Sequence, residues 1–438
     1  MKALELEGPV RDVMGTLRVP SDKSISHRAV ILGALARGTT RVYNWLSSAD
    51  TLATLSIVRH LGVKVEECNR GELLIEGADY SFLEPQDILR AENSGTTARL
   101  MAGVLATQPF FSVITGDESL RQRPMLRVVE PLRRMGAFVD GREGGNKLPL
   151  CIRGGKLRGI SFFNKKASAQ VKSSLILAGL RAEGTTEILE PVLSRDHTER
   201  MLRSFGVELV SLAEERGHIV KVKGGQSLKA TDIYCPADPS SASFFCALAL
   251  LAPQGELLLK DVLVNPTRDG FYRKLIEMGA QIEYVNVREV SSEQVADILV
   301  RSTQNLKAVN VGPDEVPAMI DEIPMLAVVM AMAEGKSEVR GASELRVKES
   351  DRIKAVVENL SSMGADIQER EDGFVIEGPA KLKGAPIKTF SDHRIAMAFS
   401  IAGLVAEGIT SIDDPECVRI SYPSFYEDLK KLVRRASL

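Results

Sequence analysis

The chain has 438 residues, 44% hydrophobic and 26% charged, the balance of a globular protein, and it is too long for one ordinary hydrophobic core. A formal net charge of -2 excludes a general affinity for nucleic acid or acidic membrane, so anion binding must come from local clusters of cations. Five dispersed cysteines (Cys68, Cys151, Cys235, Cys246 and Cys417) form no CxxC pair, which sets aside zinc ribbons and thioredoxin-like chemistry and favours reduced thiols in the cytoplasm.

Residues 1–10 alternate charged and apolar side chains and lack the continuous apolar run of a signal peptide. From about residue 21 one pattern then recurs six times: a polar start, an apolar helix-like run, a small turn and a β-rich stretch. The copies begin near Ser21, Asn93, Ser168, Asp238, Asp321 and Ser391, a period of roughly 70 to 83 residues that marks internal duplication. The apolar runs, 244–252 and 395–406 among them, predict buried helices too short to span a bilayer. A second series of helices ends in Leu61-Gly62-Val63, Met135-Gly136-Ala137, Phe205-Gly206-Val207, Met278-Gly279-Ala280 and Met363-Gly364-Ala365. Each Gly is predicted to close its helix at positive φ, and an alternating strand such as Lys64-Val65-Glu66 follows. The sixth copy, 425–433, runs out before its Gly. Each copy is therefore an α/β unit with two helices. The Ser, Asn or Asp that opens each copy reads as an N-cap, and the free N–H groups behind it form an anion site.

Cations cluster at these starts. Lys23, Ser24 and Arg28 lie in the first two turns of the first helix, where Lys23 opposes the helix dipole and calls for an anionic partner. Arg121 and Arg123 sit in a loop before a Pro expected to start the next helix. Ser194-Arg195-Asp196-His197 opens another helix, and Ser391-Asp392-His393-Arg394 opens the last copy. Lys348 and Arg352 are spaced to share one helical face. Any one such run alone reads as a solvated face. Seven cations at element starts (Lys23, Arg28, Arg123, Arg195, Lys348, Arg352 and Arg394) imply substrates with several negative charges. No GxxxxGK[ST], HExxH or GxSxG occurs, so phosphate falls to side chains and helix ends.

The strings SDKSISHR, SAQVKSSLILAGL, SRDHTERM, RVKESDR and SDHRIAMA, in this order over the full chain, resemble the 5-enolpyruvylshikimate-3-phosphate (EPSP) synthase family of enolpyruvyl transferases. The resemblance implies an α/β fold of two similar domains, each of three βαβαββ units in an inside-out α/β barrel. One domain would span 21–237; the other would combine 1–20 with 238–438. It also implies a cytoplasmic, monomeric enzyme of the shikimate pathway to aromatic amino acids, with no cofactor or metal and no nucleic-acid or membrane partner. Its substrates would be shikimate 3-phosphate and phosphoenolpyruvate, together about six negative charges. By motif, Lys23, Ser24, Arg28, Ser168, Gln170, Arg195, Asp321 and Lys348 would bind shikimate 3-phosphate. Lys23, Gly95, Arg123, Gln170, Arg352 and Arg394 would bind phosphoenolpyruvate. Asp321, Glu349 and Lys23 would be catalytic, and domain closure would exclude water. Three positions depart from the family pattern: Ala169 replaces a Ser, Leu100 a Pro, and Ile420 a Lys for which Arg419 is the candidate substitute. The alternatives are the sister enzyme that uses UDP-N-acetylglucosamine, which typically carries a Cys in the loop 117–125 where this chain has none, and a non-catalytic binding protein of the same fold.

Overall fold

A computed structural model describes residues 3–69 and 71–433 of the chain. The chain forms two compact units, one of residues 21–235 with 289–293 and the other of 1–20, 236–288 and 294–438. The tip of the hairpin between strands Gln281–Val290 and Glu293–Arg301 thus belongs to the first unit.

In the first unit, helices Lys23–Leu35, Gly95–Leu105 and Ala169–Gly179 are almost wholly buried on every side, as helices at the centre of a barrel must be. Two of them approach so closely that a Cβ on Gly103 would lie 2.2 Å from the Ser174 carbonyl oxygen. Amphipathic helices Ala49–His60, Leu126–Met135 and His197–Ser204 follow. Three four-stranded sheets lie outside. Each pairs a short parallel entry strand with the strand after the buried helix, then the two strands of an antiparallel hairpin. In the first sheet the entry strand is Ile233–Tyr234, from the far end of the segment, parallel to Arg37–Tyr43. That pairing closes the ring. In Arg37–Tyr43 the residues Thr40 and Val42 face inward while Thr39 and Arg41 face solvent, the two-residue alternation of a half-buried strand.

The second unit repeats the plan around buried helices Pro239–Leu251, Ile323–Met332 and His393–Val405. Residues before Ser21 complete two of its sheets: Leu4–Gly8 runs antiparallel to Gly408–Ile412, and Asp12–Leu17 runs parallel to Gln254–Leu263. The sheet around Gly408–Ile412 has three strands among the described residues. Each unit is an inside-out α/β barrel of three such copies. No helix among the described residues is long and apolar enough to cross a membrane.

The five turn glycines, Gly62, Gly136, Gly206, Gly279 and Gly364, all adopt positive φ, as the pattern predicts. Other details differ. The N-caps at four buried helices are Asp22, Ser94, Glu322 and Asp392, one residue beyond Ser21, Asn93, Asp321 and Ser391; only Ser168 and Asp238 cap as expected. Where two polar residues are adjacent, the one whose carboxylate or hydroxyl reaches back to the N2 or N3 amide becomes the cap: Asp22 accepts from Ile25, Ser94 from Thr97, and Asp392 from Arg394. Lys348 and Arg352 do not share a helical face. The chain is extended at Lys348, and a new helix, Arg352–Ser362, begins after Asp351, whose side chain caps Lys354 N. Pro124 likewise precedes the Met125 cap of helix Leu126–Met135 and does not start it.

Candidate active site

Around the start of helix Lys23–Leu35, Lys23 pairs with Asp50 at 2.8 Å. The second helix, Ala49–His60, supplies the anion that the dipole argument requires. One turn on, the buried Arg28 guanidinium donates to Thr198 Oγ1 at 2.7 Å, Ser173 Oγ at 2.8 Å and the Ser24 carbonyl at 3.0 Å. Burial lowers the pKa of Arg28 to about 10, opposed by the nearby Glu199 and Asp22 carboxylates and assisted by Arg195. Arg28 and Arg195 therefore lie within electrostatic reach of each other. His27 is fully buried, donates or accepts at Thr54 Oγ1 over 2.7 Å, and is held well below its usual pKa by burial and by Lys23 and Arg28. It is a neutral interior group.

A second group gathers at helix Gly95–Leu105. Because Gly95 lacks a side chain, two guanidinium groups sit over the helix start: a Cβ there would be 2.8 Å from Arg99 Nη1 and 3.5 Å from Arg123 Nη1. Arg123 donates to Asn93 Oδ1 at 2.6 Å. Arg99 donates to Gln170 Oε1 at 2.7 Å, and Gln170 returns a bond to Thr96 Oγ1 at 3.0 Å. The structure thus brings Gly95, Arg123 and Gln170 together. Ser168 stands at the N-cap position of the neighbouring helix, with its carbonyl held by Asn164 Nδ2 at 3.0 Å.

In the second unit one arginine organises the site. Arg352, 1% exposed, donates to Asp392 Oδ2 at 2.8 Å, Glu349 Oε2 at 2.7 Å and Asp321 Oδ1 at 3.2 Å. These carboxylates raise its pKa against the effect of burial. Lys348 Nζ lies 4.0 Å from the same Asp321 oxygen. Asp321, Lys348, Glu349 and Arg352 therefore form one cluster, and Asp392, which also caps Arg394 N at 2.9 Å, ties Arg394 to its edge. The Arg394 side chain is buried, and its Nε has no hydrogen-bond partner among the described residues.

These contacts correct the simple charge count. Lys23 and Arg352 are already matched by carboxylates, so the seven cations are not seven surplus positive charges. The site assignment by motif also leaves out Asp50, Arg99, Ser173, Thr198 and Asp392, although the last three lie inside the motif strings. Arg99 left a signal too, four residues after Gly95 and so on the same helix face, whereas Asp50 left none. Arg419 pairs with Glu416 at 2.7 Å and is 71% exposed.

Solved structures similar to this chain include enolpyruvyl transferases. An EPSP synthase of Acinetobacter baumannii superposes with a TM-score of 0.87 at 41% identity, covering 100% of this chain and 99% of its own. The enolpyruvyl transferase NikO of Streptomyces tendae, at TM-score 0.77 and 17% identity over 99% of this chain and 98% of its own, shares the fold alone. The model of the family "EPSP synthase (3-phosphoshikimate 1-carboxyvinyltransferase)" matches residues 8–429. A 3-phosphoshikimate 1-carboxyvinyltransferase of Aquifex aeolicus is 65% identical over 433 residues, 99% of this chain and 100% of the relative. One of Persephonella marina is 54% identical over 97% of this chain and 98% of its own length. The chain belongs to the EPSP synthase family.

Proposed function

We propose that this protein transfers the enolpyruvyl group of phosphoenolpyruvate to the 5-hydroxyl of shikimate 3-phosphate and releases phosphate. The observation that carries this reading is the likeness over essentially the whole chain to relatives named for that reaction. The five cysteines, none of them in a disulfide, fit a reducing compartment, and we assign the protein to the cytoplasm.

On this reading Lys23, Ser24, Arg28, Ser168, Gln170, Arg195, Asp321 and Lys348 hold shikimate 3-phosphate. Lys23, Gly95, Arg123, Gln170, Arg352 and Arg394 hold phosphoenolpyruvate. The 5-hydroxyl oxygen bonds to the phosphoenolpyruvate carbon that bears the phosphate, its proton passing to Asp321, while the methylene carbon gains a proton from Glu349. The carbon–oxygen bond to phosphate then breaks, the methyl group returns a proton, and the double bond re-forms. Arginine forks suit the departing phosphate, whose growing charge they stabilise without reorganising. The contacts of Arg352 with Glu349 and Asp321 support this assignment, since one cation can orient both proton-transfer groups.

The test is phosphate release with two acceptors. Shikimate 3-phosphate should support release stoichiometric with phosphoenolpyruvate consumed, and UDP-N-acetylglucosamine should support none. Turnover with the nucleotide sugar instead would assign the chain to the sister activity.

A further inference from the structure

Behind the residues assigned to shikimate 3-phosphate lies a buried charge cluster that the proposed reaction does not use. Lys172, Glu190 and Glu199 are each 0% exposed. Lys172 Nζ lies 3.0 Å from Glu190 Oε2 and 2.8 Å from Glu199 Oε1, and donates to the Ser194 carbonyl at 3.0 Å. Glu190 accepts from Ser194 Oγ at 2.8 Å, from the Ser194 amide at 3.1 Å and from Asn164 Nδ2 at 2.7 Å. Asn164 in turn holds the Ser168 carbonyl at 3.0 Å.

The cluster therefore grips the two segments that carry Ser168 and Arg195 at their first residues. It also braces Arg28. Ser173 and Thr198, the immediate neighbours of Lys172 and Glu199, bond each other at 2.6 Å and both accept from the Arg28 guanidinium. Helices Ala169–Gly179 and His197–Ser204 are thus cross-linked twice, by the ion pair inside and by the hydroxyl pair that orients Arg28.

Stability does not account for such an arrangement. Well-packed apolar side chains generally stabilise a core at least as well as a buried ion pair, whereas removing one partner leaves an uncompensated charge. Fixed geometry does account for it, because substrate-holding side chains need a rigid shell behind them. We infer that Lys172, with Glu190 and Glu199, is a positioning group for the phosphorylated-ring site, holding Ser168, Arg195 and Arg28 in register without touching substrate. This inference rests on the proposed function.

Two variants test it: Lys172→Met, and Glu199→Gln, which keeps the side-chain size and leaves the Lys172–Glu190 pair intact. In each, the KM for shikimate 3-phosphate should rise on the order of tenfold while that for phosphoenolpyruvate stays within about twofold. An unchanged KM for shikimate 3-phosphate in folded protein, or equal rises for both substrates, overturns the inference. If Lys172→Met does not fold, Glu199→Gln decides by the same two outcomes. Wild-type protein that turns over neither substrate defeats the proposed function, whereas active wild type beside unaltered variants defeats this inference alone.

Discussion

Arg352 shows why a cation assigned to a substrate is seldom a bare charge. Its guanidinium meets Asp392, Glu349 and Asp321 through different nitrogens, so its planar fork is oriented before any ligand arrives. Arg352→Lys keeps the charge but loses the fork, leaving a single ammonium to face three carboxylates. Steady-state kinetics should show kcat/KM lowered on the order of a hundredfold, about 3 kcal/mol in transition-state binding, with the protein still folded. A loss below about threefold would show that charge alone suffices there. The cations themselves were legible in the sequence because each sits in a short motif at a helix start. Their partners were not. Asp50 lies 27 residues from Lys23 and Asp392 lies 40 from Arg352, separations that only the fold brings together.

At the scale of elements, local chemistry decides what could be read. The turn glycines need positive φ at a helix end, a requirement internal to a few residues, and all five satisfy it. The caps fell one residue away because Ser21-Asp22, Asn93-Ser94 and Ser391-Asp392 each offer two capping side chains, and the second of each pair is the one that reaches the N2 or N3 amide. The close crossing of the two central helices at Gly103 left no such local trace. Gly103→Ala would place a Cβ 2.2 Å from the Ser174 oxygen, and chemical denaturation should show a loss of about 1–3 kcal/mol, the usual range for overpacking. A second element carries a pH signature. Asp269 stands at the N-cap position of helix Gly270–Glu277, and burial pushes its carboxyl up to about 6, against the pull of Arg273. A carboxyl with a raised folded-state pKa binds its proton more tightly in the native protein. Its stabilising contribution is present below the unfolded value near 4 and is lost as pH rises through about 6. Relative to Asp269→Asn, the wild type should lose on the order of 1 kcal/mol between those limits, after allowance for partial solvent screening. Parallel stability curves for the two proteins would contradict this assignment.

For the whole molecule, the sixfold repeat announced the architecture and the ring closures completed it. Periodicity located the buried helices, yet nothing local to Ile233–Tyr234 says that this short strand joins the sheet of Arg37–Tyr43, nearly two hundred residues earlier. The same holds for Leu4–Gly8 and Asp12–Leu17, which pair with strands near the two ends of the second unit. Duplication also explains why the candidate functional residues run from Lys23 to Arg394: each copy offers a helix start, and several of those starts carry the cations and carboxylates described above. Among them Lys23, at the first helical residue and held by Asp50, is assigned to both substrates and to catalysis. Phosphate release from shikimate 3-phosphate and phosphoenolpyruvate, followed for wild type beside Lys23→Met, therefore tests the account most directly. Turnover by the wild type with kcat/KM reduced on the order of a hundredfold or more in folded Lys23→Met is the predicted result. Normal turnover by Lys23→Met would contradict it.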